Sequence, residues 1–190
     1  MKKIMMTLAA VLCCAMTTTV LTSCGSDDAP AEKNPAEDKT PKQVAMNFIF
    51  YNTEDMLNYC NIEVTYNDGT GAKTVMLTKD NVDEGFSWKQ TVVAKHLPAT
   101  FTFSRKVTLK QSVDEVEKFT YTRGYFYAYA FYNAAGKHVK DGTPFNYINE
   151  IPVSGAAVAT IINPGRLDKT YTYTFDEKGE MVSQQGGQID

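Results

Sequence analysis

The sequence predicts an all-β domain, an antiparallel β-sandwich of immunoglobulin-like type with one or two short helical turns. Three observations predict it. Apolar residues recur at every second position in several short segments. The gaps between those segments carry Asn, Asp and Gly in hairpin order. Tyr (11) and Phe (10) far outnumber Trp (1), and such rings, with Thr, suit a pleated surface. A small up-and-down barrel is the alternative closure of the same strands.

In chain order, Val44, Met46, Phe48 and Phe50 share one face of a first strand over 43–51. Asn52 to Leu57 reads as a capped helical turn. Cys60, Ile62, Val64 and Tyr66 share a face of the next strand, and Asn67-Asp68-Gly69-Thr70-Gly71 turns the chain into 73–78. A strand over 87–95 precedes the cleanest alternation, 100–110. There Phe101, Phe103, Val107 and Leu109 point one way, interrupted by Arg105, and Thr, Ser104 or Lys point the other. One dry and one wet face favour antiparallel pairing. Residues 118–132 are long for a strand, and Gly124 marks a bulge or bend. Asn133 with Gly136, and Asp176 with Gly179, have the same spacing. It suits a type I turn closed by a left-handed Gly, pairing 118–132 with 137–140 and 169–175 with 180–184. Residues 154–162 fit a short helix after Ser154 or a buried strand.

Composition limits the function classes. Hydrophobic residues at 43% and charged residues at 22% exclude global disorder and fibrous repeats. A net charge of -3 supplies no basic field for nucleic acid.

The N-terminus reads as an export signal over 1–23. Met1-Lys2-Lys3 is basic, residues 4–21 are uncharged and mostly apolar, and Leu21-Thr22-Ser23-Cys24 closes the run. Those four residues resemble a lipobox, where bacterial lipoproteins are acylated and cut. The resemblance implies lipidation of Cys24, with Cys13 and Cys14 removed, and a membrane partner held through two or more acyl chains. Residues 24–42 read as a Pro-rich, acidic tether, leaving 43–190 as one domain. Ser26-Asp27-Asp28 resembles the surface-export signal of Bacteroidota lipoproteins. The whole arrangement is similar to small surface lipoproteins of that group, which implies outer-membrane anchoring and exposure on the cell surface.

Little catalytic chemistry is legible. His96 and His138 lack metal spacing, and neither a Gly-x-Ser-x-Gly nor an HExxH motif occurs. Cys60 reads as a buried, inert thiol. Asp80, Asp83 and Glu84, like Asp114, Glu115 and Glu117, read as solvated loop acids rather than a calcium loop. No cofactor or metal is expected, and no enzyme. The aromatic run carries the functional expectation. Phe119, Tyr121, Tyr125, Tyr127, Tyr129 and Phe131 share one face, with Phe126 and Tyr132 on the other. Such rings fill a core or form a binding platform. Trp88, Tyr121, Tyr125, Tyr127, Tyr129 and Tyr132 are the candidate contact residues of a non-catalytic module that grips a glycan or an envelope protein. An adhesin-type or assembly subunit of an outer-membrane complex is the alternative, and a hydrolase ranks last.

Overall fold

The computed structural model describes residues 38–186, so the export signal, Cys24 and the tether up to residue 37 lie outside the described residues. The elements in chain order are β1 (Gln43–Phe50), α1 (Glu54–Tyr59), β2 (Cys60–Asn67), β3 (Ala72–Met76), β4 (Trp88–Ala94), β5 (Ala99–Leu109), β6 (Phe119–Thr122), β7 (Tyr125–Tyr132), β8 (His138–Asp141), β9 (Phe145–Tyr147), β10 (Glu150–Val153), α2 (Gly155–Ile162), β11 (Lys169–Phe175) and β12 (Met181–Gln185).

Two antiparallel sheets pack face to face. The first runs β4-β1-β7-β8, with β9 also paired to β7; the second runs β12-β11-β5-β2-β3. The sheets stay open at their edges, so the chain forms an antiparallel all-β sandwich with two short helices and not a barrel. A two-stranded ribbon, β10-β6, extends it.

Alternation sets the core. Met46, Phe48 and Phe50 from β1 meet Phe101 and Phe103 from β5 and Tyr171, Tyr173 and Phe175 from β11, all buried. Phe48 lies over Phe103 with ring centroids 4.3 Å apart and planes within 9°. Tyr125 lies over Tyr171 at 4.2 Å and Tyr127 over Tyr173 at 4.8 Å. Rings this close add to the hydrophobic gain of burying them.

The turns form as their residues dictate. Asn133 Oδ1 accepts from the amides of Ala135 and Lys137, and Gly136 has φ 77°. Asp176 Oδ1 accepts from Lys178 and Glu180, and Gly179 has φ 74°. Thr53 caps α1 by accepting from the Met56 amide. Residues 154–162 resolve as helix, α2, not strand.

Residues 118–132 are not one strand. The chain breaks at Arg123 and Gly124, sending β6 into the ribbon and β7 into the first sheet. Only glycine fits at 124, because a Cβ there would lie 2.8 Å from the Tyr147 carbonyl oxygen and 3.0 Å from the Tyr51 ring. The end of the segment read as tether lies on the sandwich. Asn133 Nδ2 donates to the Asp38 carbonyl at 2.7 Å, and the Lys42 amide donates to the Tyr132 carbonyl at 2.8 Å.

Candidate functional site

Of the two roles open to the aromatic run, core and platform, the inward rings take the core, so the platform reading of Trp88, Tyr121, Tyr125 and Tyr127 is the one corrected. Trp88 is 5% exposed, Tyr121 6%, Tyr125 2% and Tyr127 5%, so none offers a ring to a ligand. Tyr129 is half-buried and packs on Phe175 at 5.0 Å. The physical reason is that this face of β7 lies against β11, where these rings fill the space between the sheets. Trp88 likewise covers Tyr66 from β4. Of the six candidate contact residues, Tyr132 alone points outward, half-buried, with the His138 ring 5.9 Å away.

The opposite face of the same strands is half-buried, with Ala45 only 9% exposed. Outward positions on β1 are Ala45, Asn47 and Ile49, and on β7 they are Phe126, Ala128, Ala130 and Tyr132. Register aligns Ala45 with Ala130, Asn47 with Ala128 and Ile49 with Phe126. On β4, Val93, Thr91 and Lys89 continue these three rows. No charged side chain stands on the two central strands of this face, which is unusual for the solvent side of an antiparallel sheet. Tyr51 closes one end, and its hydroxyl donates to Asn146 Oδ1 at 3.0 Å. In the middle, Asn47 Oδ1 is buried without a hydrogen-bond partner among the described residues.

Arg105 shapes the Tyr51 end from within. It projects inward from β5, 2% exposed. Its guanidinium donates to the Tyr51 carbonyl at 2.9 Å, Asn52 Oδ1 at 3.4 Å and the Thr122 carbonyl at 3.2 Å, and it lies 5.2 Å from the Phe50 ring centroid. Burial pulls its pKa down to about 10, with the neighbouring Tyr171 and Asp168 opposing. A buried cation survives here because carbonyl oxygens and an aromatic face replace water. Asn52 in turn donates to the carbonyls of Phe50 and Phe86, which ties down the loop where Phe86 takes a left-handed φ of 60°.

The outer face of the second sheet is different. Thr100 and Thr174 hydroxyls lie 3.3 Å apart, Thr102 and Thr172 3.3 Å, and Thr65 and Thr74 3.0 Å. These are ordinary cross-strand pairs that satisfy one another. A shallow depression of about 260 Å³ sits among Glu63, Thr65, Ser104, Lys106, Asp168 and Thr170. Another of about 360 Å³ lies between the 110–114 loop and Ala159 of α2.

Other titratable groups form surface pairs, Lys73 with Asp68 and Lys79 with Glu54 at 3.0 Å. His138 is exposed, 3.0 Å from Asp141, and His96 is exposed elsewhere. Cys60 is buried, and burial raises its thiol pKa to about 12. Asp83 is spent on its own turn, accepting from the Gly85 and Ser87 amides. Among the described residues no cluster of His, Cys, Asp and Glu is placed to hold a metal ion, and no helix is long and apolar enough to cross a membrane. Neither a protein-family model, nor a curated protein, nor a solved structure matches the chain.

Proposed function

We propose that the protein is an exported lipoprotein, anchored in the outer membrane through acylated Cys24 and exposed on the cell surface, where it acts as a non-catalytic binding module for a glycan or another surface protein. Leu21-Thr22-Ser23-Cys24 behind a basic, apolar leader supports the anchor, and Ser26-Asp27-Asp28 supports surface export. The likeness to small surface lipoproteins of Bacteroidota rests on those same residues. The single observation that supports binding is the outer face of the first sheet, uncharged along β1 and β7 and ended by rings. Solvent-facing sheets that serve only to shield a core are ordinarily polar.

The proposal is tested on intact cells. Labelled palmitate is expected in the wild-type chain and absent from Cys24→Ala. Added protease is expected to degrade the wild type, and Asp27→Ala with Asp28→Ala is expected to shelter it. Protection of the wild type would place the domain inside the envelope and end the surface reading.

A further inference from the structure

We infer that the outer face of the first sheet is a track for a neutral glycan chain, running along β1 and β7 from Tyr51 and Phe126 to Tyr132. The inference rests on the binding-module reading and narrows it to one face and one ligand class.

Shape is the first argument. Phe126 and Tyr132 stand at the two ends of one face of β7, about 20 Å apart at a strand's rise per residue. Between them Ala128 and Ala130, with Ala45 beside them on β1, keep the floor low. A chain ligand can therefore approach the sheet closely between two raised ends. Both ends are held in place from outside the track: Tyr51 is bonded to Asn146, and Tyr132 packs against His138.

Chemistry is the second. Sugar rings offer polarised C–H faces, which stack on aromatic rings, and hydroxyl edges, which need neutral donors and acceptors. The track supplies rings at its ends and the Asn47 amide, beside the Thr91 hydroxyl, at its centre. Asn47 Oδ1 is buried and lacks a partner among the described residues, an arrangement native proteins seldom leave without a reason. Rotation of that amide toward the track gives it a sugar hydroxyl to accept from.

Charge and polarity exclude the competing occupants. The central strands carry no cation on this face, and Lys89 on β4, beside Ile49, is a single charge at one end, too little to hold a sulfated, phosphorylated or uronate-bearing chain along the track of a net acidic protein. A lipid surface would leave Asn47 Oδ1 without a partner, where a sugar hydroxyl supplies one. A protein partner is anchored ordinarily by large buried rings or Arg at the centre of its contact, and here the centre is alanine.

The test uses the full-length protein on an array of glucans, mannans, galactans and xylans, with sulfated and uronate-bearing chains alongside. Binding to at least one neutral class is expected. Ala128→Glu and Phe126→Ala are each expected to weaken it by at least about tenfold. Thr170→Glu, exposed on the opposite sheet, is expected to leave it unchanged. All three variants are checked for wild-type thermal unfolding, and Tyr132→Ala supplies a replacement for any that fails. A blank array, a preference for charged chains, or equal loss from Thr170→Glu overturns the inference. If the array is blank while an envelope protein or lipid vesicles bind and Ala128→Glu abolishes that, the glycan assignment falls and the binding module stands. If Ala128→Glu alters nothing bound by any route, both fall.

Discussion

Arg105, in the middle of the second sheet, donates from inside the sandwich to the backbone carbonyl of Tyr51, the residue that follows β1 of the first, at 2.9 Å. The bond joins the two sheets at the one point where a charge enters an otherwise apolar face of β5. Through Thr122 it also fixes the bend that separates β6 from β7. Tyr51 and Phe126 are thereby set at the same end of the outer face.

Arg105→Ala is expected to lose about 3–5 kcal/mol, because it empties a large buried volume and strands the Tyr51 and Thr122 carbonyls. Arg105→Met keeps most of the volume and removes the buried charge, so it is expected to lose less. Urea denaturation at neutral pH measures both. Equal, negligible losses would mean that the guanidinium is not a structural tie.

The two look-alike hairpins provide an internal contrast. A Cβ at Gly136 would meet open space, so Gly136→Ala is expected to cost only the left-handed backbone penalty, about 1–2 kcal/mol. A Cβ at Gly179 would lie 2.6 Å from Pro41 Cβ and 3.3 Å from the Phe131 ring. Gly179→Ala is expected to lose at least about 1 kcal/mol more. Thermal unfolding of the pair decides, and a reversed order would remove Pro41 from its place on the sandwich.

Stability is expected to fall in alkali. Burial raises Cys60 from 9.0 to about 12 and Tyr171 from 10.0 to about 12, and it raises Tyr173 as well. Raised values mean that the folded state holds these protons more tightly than the unfolded chain. Their contribution is complete below about pH 9 and is lost as pH climbs toward 12. Arg105, depressed to about 10, works in the opposite sense above that pH, but burial raises Tyr51, Tyr125 and Tyr127 as well, and these add to the alkaline loss. The midpoint of thermal unfolding should be level from pH 7 to about 9 and drop beyond. The Cys60 thiol should resist reagents at pH 8 until the chain unfolds, and rapid labelling of the native protein would show that the β2 face is open.

Much of this fold is legible in the sequence because its signals are local. The Asn133–Gly136 and Asp176–Gly179 spacings state their turns, Thr53 states its cap, and alternation in β1, β2 and β5 states the faces. Two strands left no such mark. β9 has three residues and β10 has four, with Pro152 inside, so neither shows a period. Alternation in β7 leaves open which of its two faces is the core. Alternation says that Tyr125, Tyr127 and Tyr129 share a face, but which face is dry depends on β11, a partner distant in the chain. Phe126 and Tyr132 mark the other face by the same alternation, but Ala128 and Ala130 carry no local signal, and register alone sets them beside Asn47 and Ala45. Arg105 was visible too, as the one interruption in an apolar stripe. Its carbonyl partners come from segments that no local pattern connects to it.

The anchor is the claim on which location and accessibility depend, and one measurement addresses it directly. Cells expressing the wild type or Cys24→Ala are grown with labelled palmitate, and the N-terminal peptide of each purified protein is weighed by mass spectrometry. A labelled wild-type chain that begins at Cys24 and carries acyl chains is expected, and an unlabelled Cys24→Ala chain. Equal labelling of both, or a wild-type chain cut elsewhere and free of lipid, would contradict the anchor.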